Sequence, residues 1–440
     1  MKLKNRQTVF TLIAVFIFLP FHRGFGAELR KPLSIFYNGS IRGNLGKMTG
    51  GCQAKTLSLM KSLSRANEDL ISLSAGDVLG PSVTSDLDGG EVLIELMNEG
   101  QYDACGLGPH DLSYGWKNFV ERSKEANFPF VCSNLLLHGK EPKAVSDSVL
   151  IERGDKRVLV LGVCSASLPE RWPAWPDELD TEEPLQALKE HERIGREADL
   201  CVLLSSMNFE ENMTLLKQLP CVDAVIATLI VGSKLVDSSF RDVSLVNGRR
   251  LLWTYHSGKC VGLLRGFRKG QRLVSTLRLI EVESELEVDD RAKERIESLE
   301  SRAREELGQF ITELGKDEAR DISETFLSAL RYELNAEVAI MDRSSFMEEH
   351  SERKLSKHSI RRVYPFRSRG AVVSLSGREI EELWKRRDDG IIWNQGLAIV
   401  GMSEQQGKVL VNGRLLRRDR ICERFIKRLK PKRRRRMVER

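Results

Sequence analysis

The sequence has no Cys-x-x-Cys, no cysteine–histidine spacing of the zinc-binding kind and no internal repeat. Beyond its first two dozen residues it also has no long apolar run. Each absence removes a class. Without the paired-cysteine spacings, neither a structural zinc module nor a dithiol redox motif is expected. Without a repeat, no solenoid or propeller is expected. A later membrane span would need roughly 20 apolar residues, and no downstream segment supplies them. Basic charge is also scarce over most of the chain. The formal net charge is +6, yet the stretch from Arg414 to Arg440 holds fourteen Lys or Arg against three Asp or Glu, so the remainder is net acidic. A basic groove is therefore not implied for the body, and no specific nucleic-acid recognition is expected.

What is present fits an ordinary globular protein. At 440 residues the chain is too long for one core and suits two domains with additions. The apolar share of 41% and the charged share of 30% suit a packed interior under a solvated surface. The N-terminus is ordered as an export signal. Lys2, Lys4 and Arg6 precede an uncharged apolar stretch from Thr8 to Phe21, and Gly24 and Gly26 stand at −3 and −1 before Ala27. A cleaved signal over residues 1–26 is expected, with a retained anchor as the alternative; either places the protein outside the cytoplasm. The eight cysteines fit buried thiols acting as small hydrophobes, while an oxidising compartment allows one or two disulfides with no pairing specified.

The first half alternates short apolar runs with amphipathic stretches. Leu33–Tyr37, Leu70–Leu73, Ala104–Leu107, Phe130–Val131, Val158–Val163, Leu200–Leu204 and Ala224–Ile226 are expected strands. Gln53–Ser64 and Gly90–Glu99 carry apolar residues at helical spacing. The alternation predicts a layered α/β domain. Dense charge follows from Val282 to Arg320, with Ile296, Leu299, Ala303, Leu307, Phe310 and Leu314 on one helical face. This predicts a long connecting helix. Beyond it, Ile322–Leu334 and Gly377–Lys385 are expected helices and Glu337–Met341 and Ala371–Leu375 expected strands. Asn412-Gly413 marks a hairpin turn.

Four blocks carry a family resemblance. They are Asn38-Gly39-Ser40-Ile41-Arg42-Gly43 with Gly50-Gly51; Leu73-Ser74-Ala75-Gly76-Asp77-Val78-Leu79-Gly80; Tyr102 through Gly108-Pro109-His110-Asp111 to Tyr114-Gly115, Phe128-Pro129 and Asn134-Leu135; and Leu203-Leu204-Ser205-Ser206 with Asp223-Ala224-Val225-Ile226. In order and spacing they resemble the bifunctional 5'-nucleotidase and 2',3'-cyclic phosphodiesterase family, from about Leu33 to Phe425. The resemblance implies an α/β architecture. A four-layer metallophosphoesterase-like β-sandwich flanked by helices is expected over residues 30–280 and a helical linker over 281–320. A smaller, truncated α+β 5'-nucleotidase C-terminal-like domain is expected over 321–425 and a basic tail over 426–440.

In that family these blocks hold two divalent metal ions. Such a pair needs several anionic or imidazole ligands and a bridging carboxylate, and in return it activates a water and clamps phosphoryl oxygens. Carried over by position, the family's first Asp reads Ser40 and its His reads Arg42. The bridging Asp remains as Asp77. The Asn reads Pro109, the next His reads Ser206, and the last two read Leu229 and Val231. Asp77 is thus a vestigial metal position, and a salt bridge to Arg42 is its expected employment. His110 matches the family's catalytic His as a vestigial acid/base, or it is a corner histidine bonded locally. Of the other histidines, His22, His138, His191, His256, His350 and His358, none falls on a family metal position; His256 is the one place to seek a substitute ligand. Asp103 and Asn134 are read as residues that fix loops. No cofactor is expected.

The second segment departs from the family too. Ala339–Met347 replaces the family's Asn-Gly-Gly-x-Arg loop, with Met347 at the Arg position. Tyr364 and Phe366 read as core. The nucleobase-stacking loop has no counterpart, and the chain passes instead into Lys427–Arg440, where nine of fourteen residues are Lys or Arg. That tail is either a solvated end or an electrostatic tether to an anionic membrane surface or another polyanion. The expectation is an exported, catalytically silent binding or scaffold protein of the cell envelope. The alternative is an active nucleotide or phosphate-ester hydrolase with unrecognised ligands.

Overall fold

A computed structural model describes residues 32–46, 53–172, 175–228, 242–254, 258–282, 286–315, 322–342, 346, 353–364, 371–385, 397–400, 402–405, 408–411, 414–415 and 421–427. Its first half is built on two six-stranded sheets. The first sheet contains β1 (Leu33–Asn38), β2 (Leu70–Ser74), β3 (Ala104–Gly106), β4 (Phe130–Val131), β13 (Cys260–Lys269) and β14 (Arg272–Glu281), in the order β14-β13-β1-β2-β3-β4. The second contains β6 (Ser148–Arg153), β7 (Lys156–Cys164), β9 (Leu200–Ser206), β10 (Ala224–Ala227), β11 (Asp242–Ser244) and β12 (Arg250–Trp253), in the order β11-β12-β10-β9-β7-β6. A short pair, β5 (Leu135–Leu137) with β8 (Leu179–Thr181), stands beside them.

Strand alternation explains how the sheets stack. Along β1, Leu33, Ile35 and Tyr37 face one way and Phe36 the other. The first three join Ile71, Leu73, Val158, Val160, Val202, Leu204 and Ile226 in a core between the sheets. Phe36 instead packs with the helices outside the first sheet, α1 (Gln53–Ala66), α2 (Glu91–Glu99) and α3 (Trp116–Glu125), through Leu57, Met60, Leu93, Met97 and Phe119. The outer face of the second sheet has its own core. Leu159, Leu161, Leu203 and Val225 meet helices α4 (Pro184–Lys189), α5 (Glu192–Glu197) and α6 (Phe209–Gln218). The result is helix, sheet, sheet, helix: the expected four layers. Each fully buried Leu or Phe in these cores contributes roughly 1.5–3 kcal/mol of transfer free energy.

The expected strands of this half are all present, within a residue or two at their ends. The hairpin β13–β14 was not anticipated. It turns at Gly270, which has φ +61, and pairs over ten residue partners, adding both strands to the first sheet beside β1.

The charged segment corrects an expectation. Helix α7 runs only from Asp290 to Leu307. Gly308 ends it, and Phe310–Glu313 forms strand β15 paired with β17 (Lys354–Ser356). The aromatic and β-branched run Phe310-Ile311-Thr312 favours a strand over another helical turn. Phe310 accordingly leaves the helical face and is 59% exposed. Helix α7 is also no free connector. Ala292, Ile296 and Leu299 are buried in the core that contains α1 and α2. Lys61 reaches Asp289 at 2.7 Å, and Arg295 pairs with Glu95 and Glu99.

The second half is smaller and mixed. Helix α8 (Ile322–Glu333) precedes β16 (Val338–Asp342), and α9 (Lys357–Val363) and α10 (Gly377–Lys385) follow. A four-stranded sheet runs β18-β23-β16-β19, with β18 at Ala371–Ser376, β19 at Leu397–Val400 and β23 at Ile421–Lys427. A meander of β20 (Met402–Gln405), β21 (Lys408–Val411) and β22 (Arg414–Leu415) completes it. Val411 pairs with Arg414 in β21 and β22, while the expected turn residues Asn412 and Gly413 lie outside the described residues. Strand β23 takes in Lys427, so it reaches into the expected tail. Among the described residues no helix is long and apolar enough to cross a membrane.

Candidate functional site

The first three blocks that carry the resemblance meet at one end of the first sheet, in the loops after β1, β2 and β3. Parallel pairing sets this up. Asn38 lies beside Ser74, and Ser74 beside Cys105, so the three strands deliver their following loops to one place. Backbone hydrogen bonds stitch the first two loops: Ser40 N–H to Gly76 O at 2.9 Å, Arg42 N–H to Asp77 O at 2.8 Å and Gly43 N–H to Val78 O at 2.6 Å.

The backbone here is unusual. Ser40, Arg42 and Asp77 all sit at positive φ, near +55°. Only seven described non-glycine residues have positive φ, and three of them are these residues, at positions where the family resemblance would place metal ligands. Such conformations cost energy and persist where surrounding structure enforces them. The enforcement is visible. Gly76, at φ +105, lies so close to β3 that a Cβ there would come within 2.7 Å of the Gly106 carbonyl. Close packing against the neighbouring strand thus holds the shape of these loops.

Two carboxylates lock the loops. Asp77 Oδ1 accepts the backbone N–H of His110 at 2.9 Å. Asp111 accepts four backbone N–H groups: Asp77 at 2.8 Å, Val78 at 2.6 Å, Leu79 at 3.0 Å and Gly108 at 2.8 Å. Both side chains are buried. Burial, and then the negative charge of Asp77, push the Asp111 carboxyl up to about 7, against the pull of its amide donors. Burial also raises Asp77, with the Arg42 charge and the His110 amide opposing it. Asp111 was visible in the sequence as part of its block, but its role as the clamp was not.

Arg42 works on Asp77 through space. Burial lowers its basicity and the Asp77 charge restores some of it. Its Nε is buried with no hydrogen-bond partner. The expected salt bridge between Arg42 and Asp77 does not form: among the described residues no ion pair joins them, Arg42 acts on Asp77 only as a nearby charge, and the hydrogen bond Asp77 makes goes to the His110 amide.

The His110 ring is buried and packs perpendicular to Trp172, with centroids 4.7 Å apart and planes at 89°. Trp172 was not anticipated as a neighbour of the site, since it lies far along the chain in a segment without a motif. Its Nε1 is buried and without a hydrogen-bond partner. Ser206 is brought to the same region by the end of β9, and its Oγ donates to the Leu107 carbonyl at 3.0 Å. Leu229, Val231 and His256 lie outside the described residues, as do Met347 and Phe366. Tyr364 is buried and packs with Phe326 and Phe346, at centroid distances of 4.9 Å and 6.0 Å, as a core residue. Asp103 and Asn134 fix loops: Asp103 accepts the Ser72 N–H at 2.8 Å, and Asn134 bonds both backbone groups of Cys164.

These residues do not make a ligand set for a pair of divalent ions. One carboxylate, Asp77, already holds a backbone amide. Ser206 spends its hydroxyl on a carbonyl, Pro109 has no side-chain donor atom, and Arg42 brings a positive charge of its own. Among the described residues, no three His, Cys, Asp or Glu side chains converge in a way that could hold an ion.

No family model matches the chain. Human 5'-nucleotidase is 28% identical over 131 residues, covering 29% of this chain and 23% of that protein. The match therefore spans about a quarter of the human protein's length. Among solved structures, a 5'-nucleotidase precursor from Thermus thermophilus superposes with a TM-score of 0.72 at 17% identity, covering 90% of this chain and 89% of that one. The sulfate thiohydrolase of Thermus thermophilus, solved with glycerol, gives 0.71 at 13% identity, covering 93% and 91%. The chain has the 5'-nucleotidase fold along most of its length.

Proposed function

We propose that the protein is exported and serves in the cell envelope as a catalytically silent binding or scaffold protein built on the 5'-nucleotidase fold. The observation that carries this reading is Arg42, a fixed cation at a family metal position, acting on the one retained family ligand, Asp77. Two unit charges 4 Å apart interact by about 4 kcal/mol at an effective dielectric constant of 20, and a divalent ion doubles that repulsion. A single carboxylate, already bound to the His110 amide, at best cancels that repulsion and leaves little net attraction to hold the ion against water. His110 and Asp77 are then kept for the loop geometry they hold. In this reading the loops of the first three strands are a packed structural corner with no water-activating centre.

The segment shared with human 5'-nucleotidase favours a second reading, a hydrolase of nucleotides or related phosphate esters. That reading needs ligands from segments outside the described residues, with His256 as the residue to test first. Elemental mass spectrometry separates the two. The purified chain is exposed to manganese, zinc or cobalt and then gel-filtered. The silent reading expects metal far below one ion per chain. Two retained ions per chain, lost on Asp77→Ala, would contradict it. N-terminal sequencing tests export: a start near Ala27 is expected in material recovered outside the cytoplasm, and an intact Met1 in the cytosolic fraction speaks against it.

A further inference from the structure

The sandwich buries two pairs of facing thiols. Cys132 follows β4 in the first sheet and Cys164 ends β7 in the second, and their sulfurs are 3.7 Å apart. The amide oxygen of Asn134 stands beside both, 3.4 Å from the Cys132 Sγ and 3.6 Å from the Cys164 Sγ. Asn134 does not depend on those thiols. Its Oδ1 accepts the Cys164 N–H at 3.0 Å, and its Nδ2 donates to the carbonyls of Cys164 at 2.8 Å and Glu182 at 2.9 Å. Losing the two S–H donors therefore leaves no buried polar atom unpaired there.

The second pair is Cys201, in β9, and Cys221, just before β10. Both sulfurs are buried and turn towards the same point beside Gly195. Gly195 makes the room: a Cβ at that position would lie 3.3 Å from each sulfur. Cys105 and Cys260 differ: their thiols donate to the carbonyls of Gly106 and Val261.

We propose that Cys132–Cys164 and Cys201–Cys221 close as disulfides when the chain folds in an oxidising compartment; the setting rests on the export reading above. A disulfide needs sulfurs about 2.05 Å apart, and the remaining approach from contact is of the size a side-chain torsion covers. In each closure one cysteine thiolate attacks the disulfide of an oxidised dithiol carrier, forming a mixed disulfide. The partner thiolate then displaces the carrier. Two protein S–H bonds and the carrier's S–S bond break; one protein S–S bond and two carrier S–H bonds form, with two electrons passed to the carrier. All four sulfurs are buried in the finished fold, so closure accompanies folding. The first disulfide ties one sheet to the other, and the second ties β9 to the segment entering β10.

The test uses the full wild-type chain. It is reduced, denatured and refolded in mixed oxidised and reduced glutathione, then alkylated under denaturing conditions and peptide-mapped without reductant. The expected map joins the Cys132 peptide to the Cys164 peptide and the Cys201 peptide to the Cys221 peptide, with Cys105 and Cys260 alkylated. The oxidised protein is also expected to have a higher urea midpoint than the same protein in reductant, and Cys132→Ala/Cys164→Ala is expected to narrow that gap. Alkylation of all four sulfurs, crosslinks to other cysteines, or equal midpoints overturn the proposal. Because glutathione supplies the oxidant, this result does not depend on localisation. Pairs that form in the tube but are absent in protein taken from cells support the pairing and count against export.

Discussion

Asp111 sets the strongest expectation at the scale of single residues. Replacing it by Ala strands four backbone N–H groups, of which it is the shared acceptor. One buried donor left unsatisfied costs about 1–3 kcal/mol, and the four are not additive because water can enter. Asp111→Ala is therefore expected to lose about 3–5 kcal/mol, read as a fall in the urea midpoint. An unchanged midpoint would show that the clamp is not needed. The same group predicts a pH dependence. Its folded pKa is raised to about 7, above the roughly 3.9 of a free Asp, so the folded state holds the proton more tightly than the unfolded chain does. That contribution is fully present below about pH 4 and is lost as pH rises through 7. Stability measured from pH 4 to 8 should fall more steeply in wild type than in Asp111→Asn, which stays neutral; parallel curves would refute the assignment. The sequence alone pointed to Asp77 and His110, because the motif blocks carry them. It did not show that Asp111 holds the loops or that Trp172 meets His110. Those facts depend on which backbone groups three loops present to one another, and residue types do not encode that.

Secondary elements were legible where local pattern and tertiary demand agree. Strands buried on both faces, such as β7 and β9, are apolar throughout and stood out. Strand β14 alternates, with Leu273 buried and Val274 exposed, and its neighbours include charged residues, so it left a weaker trace. Helix α7 was recognised by its apolar stripe, but its end was not, because Phe310 and Leu314 happen to continue the helical spacing after the chain has turned into β15. The start of α7 carries its own prediction. Asp289 caps the helix by accepting the Ala292 N–H at 3.0 Å and takes a hydrogen bond from Lys61 at 2.7 Å. Losing a cap of this type costs about 1 kcal/mol, so Asp289→Ala should cost about 1–2 kcal/mol with the Lys61 contact included. The Lys61 hydrogen bond lowers the Asp289 pKa. Its contribution is therefore present above the ordinary carboxylate range and vanishes as pH falls through the depressed value. The gap between wild type and Asp289→Ala in thermal unfolding should close in acid; a gap that widens there would be inconsistent with this origin.

At the scale of the molecule, layering was legible and chemistry was not. Alternating strands and helices, with the motif blocks, led to four layers and a smaller second segment. The sequence led to an expectation of missing ligands at Ser40, Arg42, Pro109 and Ser206, which the elemental mass spectrometry above tests. The strained backbone of the loops and the carboxylates that hold it required coordinates. The tail belongs to this scale as well. Strand β23 takes in Lys427, so the deletion that tests the expected tether is 428–440. At roughly 1 kcal/mol per basic residue near an anionic surface, its deletion should abolish binding to phosphatidylserine vesicles at low salt and leave the urea midpoint unchanged. Undiminished vesicle binding would dismiss the tether. The central claim, that this fold no longer runs two-metal hydrolysis, is tested most directly by assaying the purified protein against AMP, UDP-glucose and a chromogenic phosphodiester with manganese, zinc or cobalt supplied. The account predicts no metal-dependent turnover above the protein-free control. Turnover that requires the metal and disappears in both Asp77→Ala and His110→Ala would contradict it.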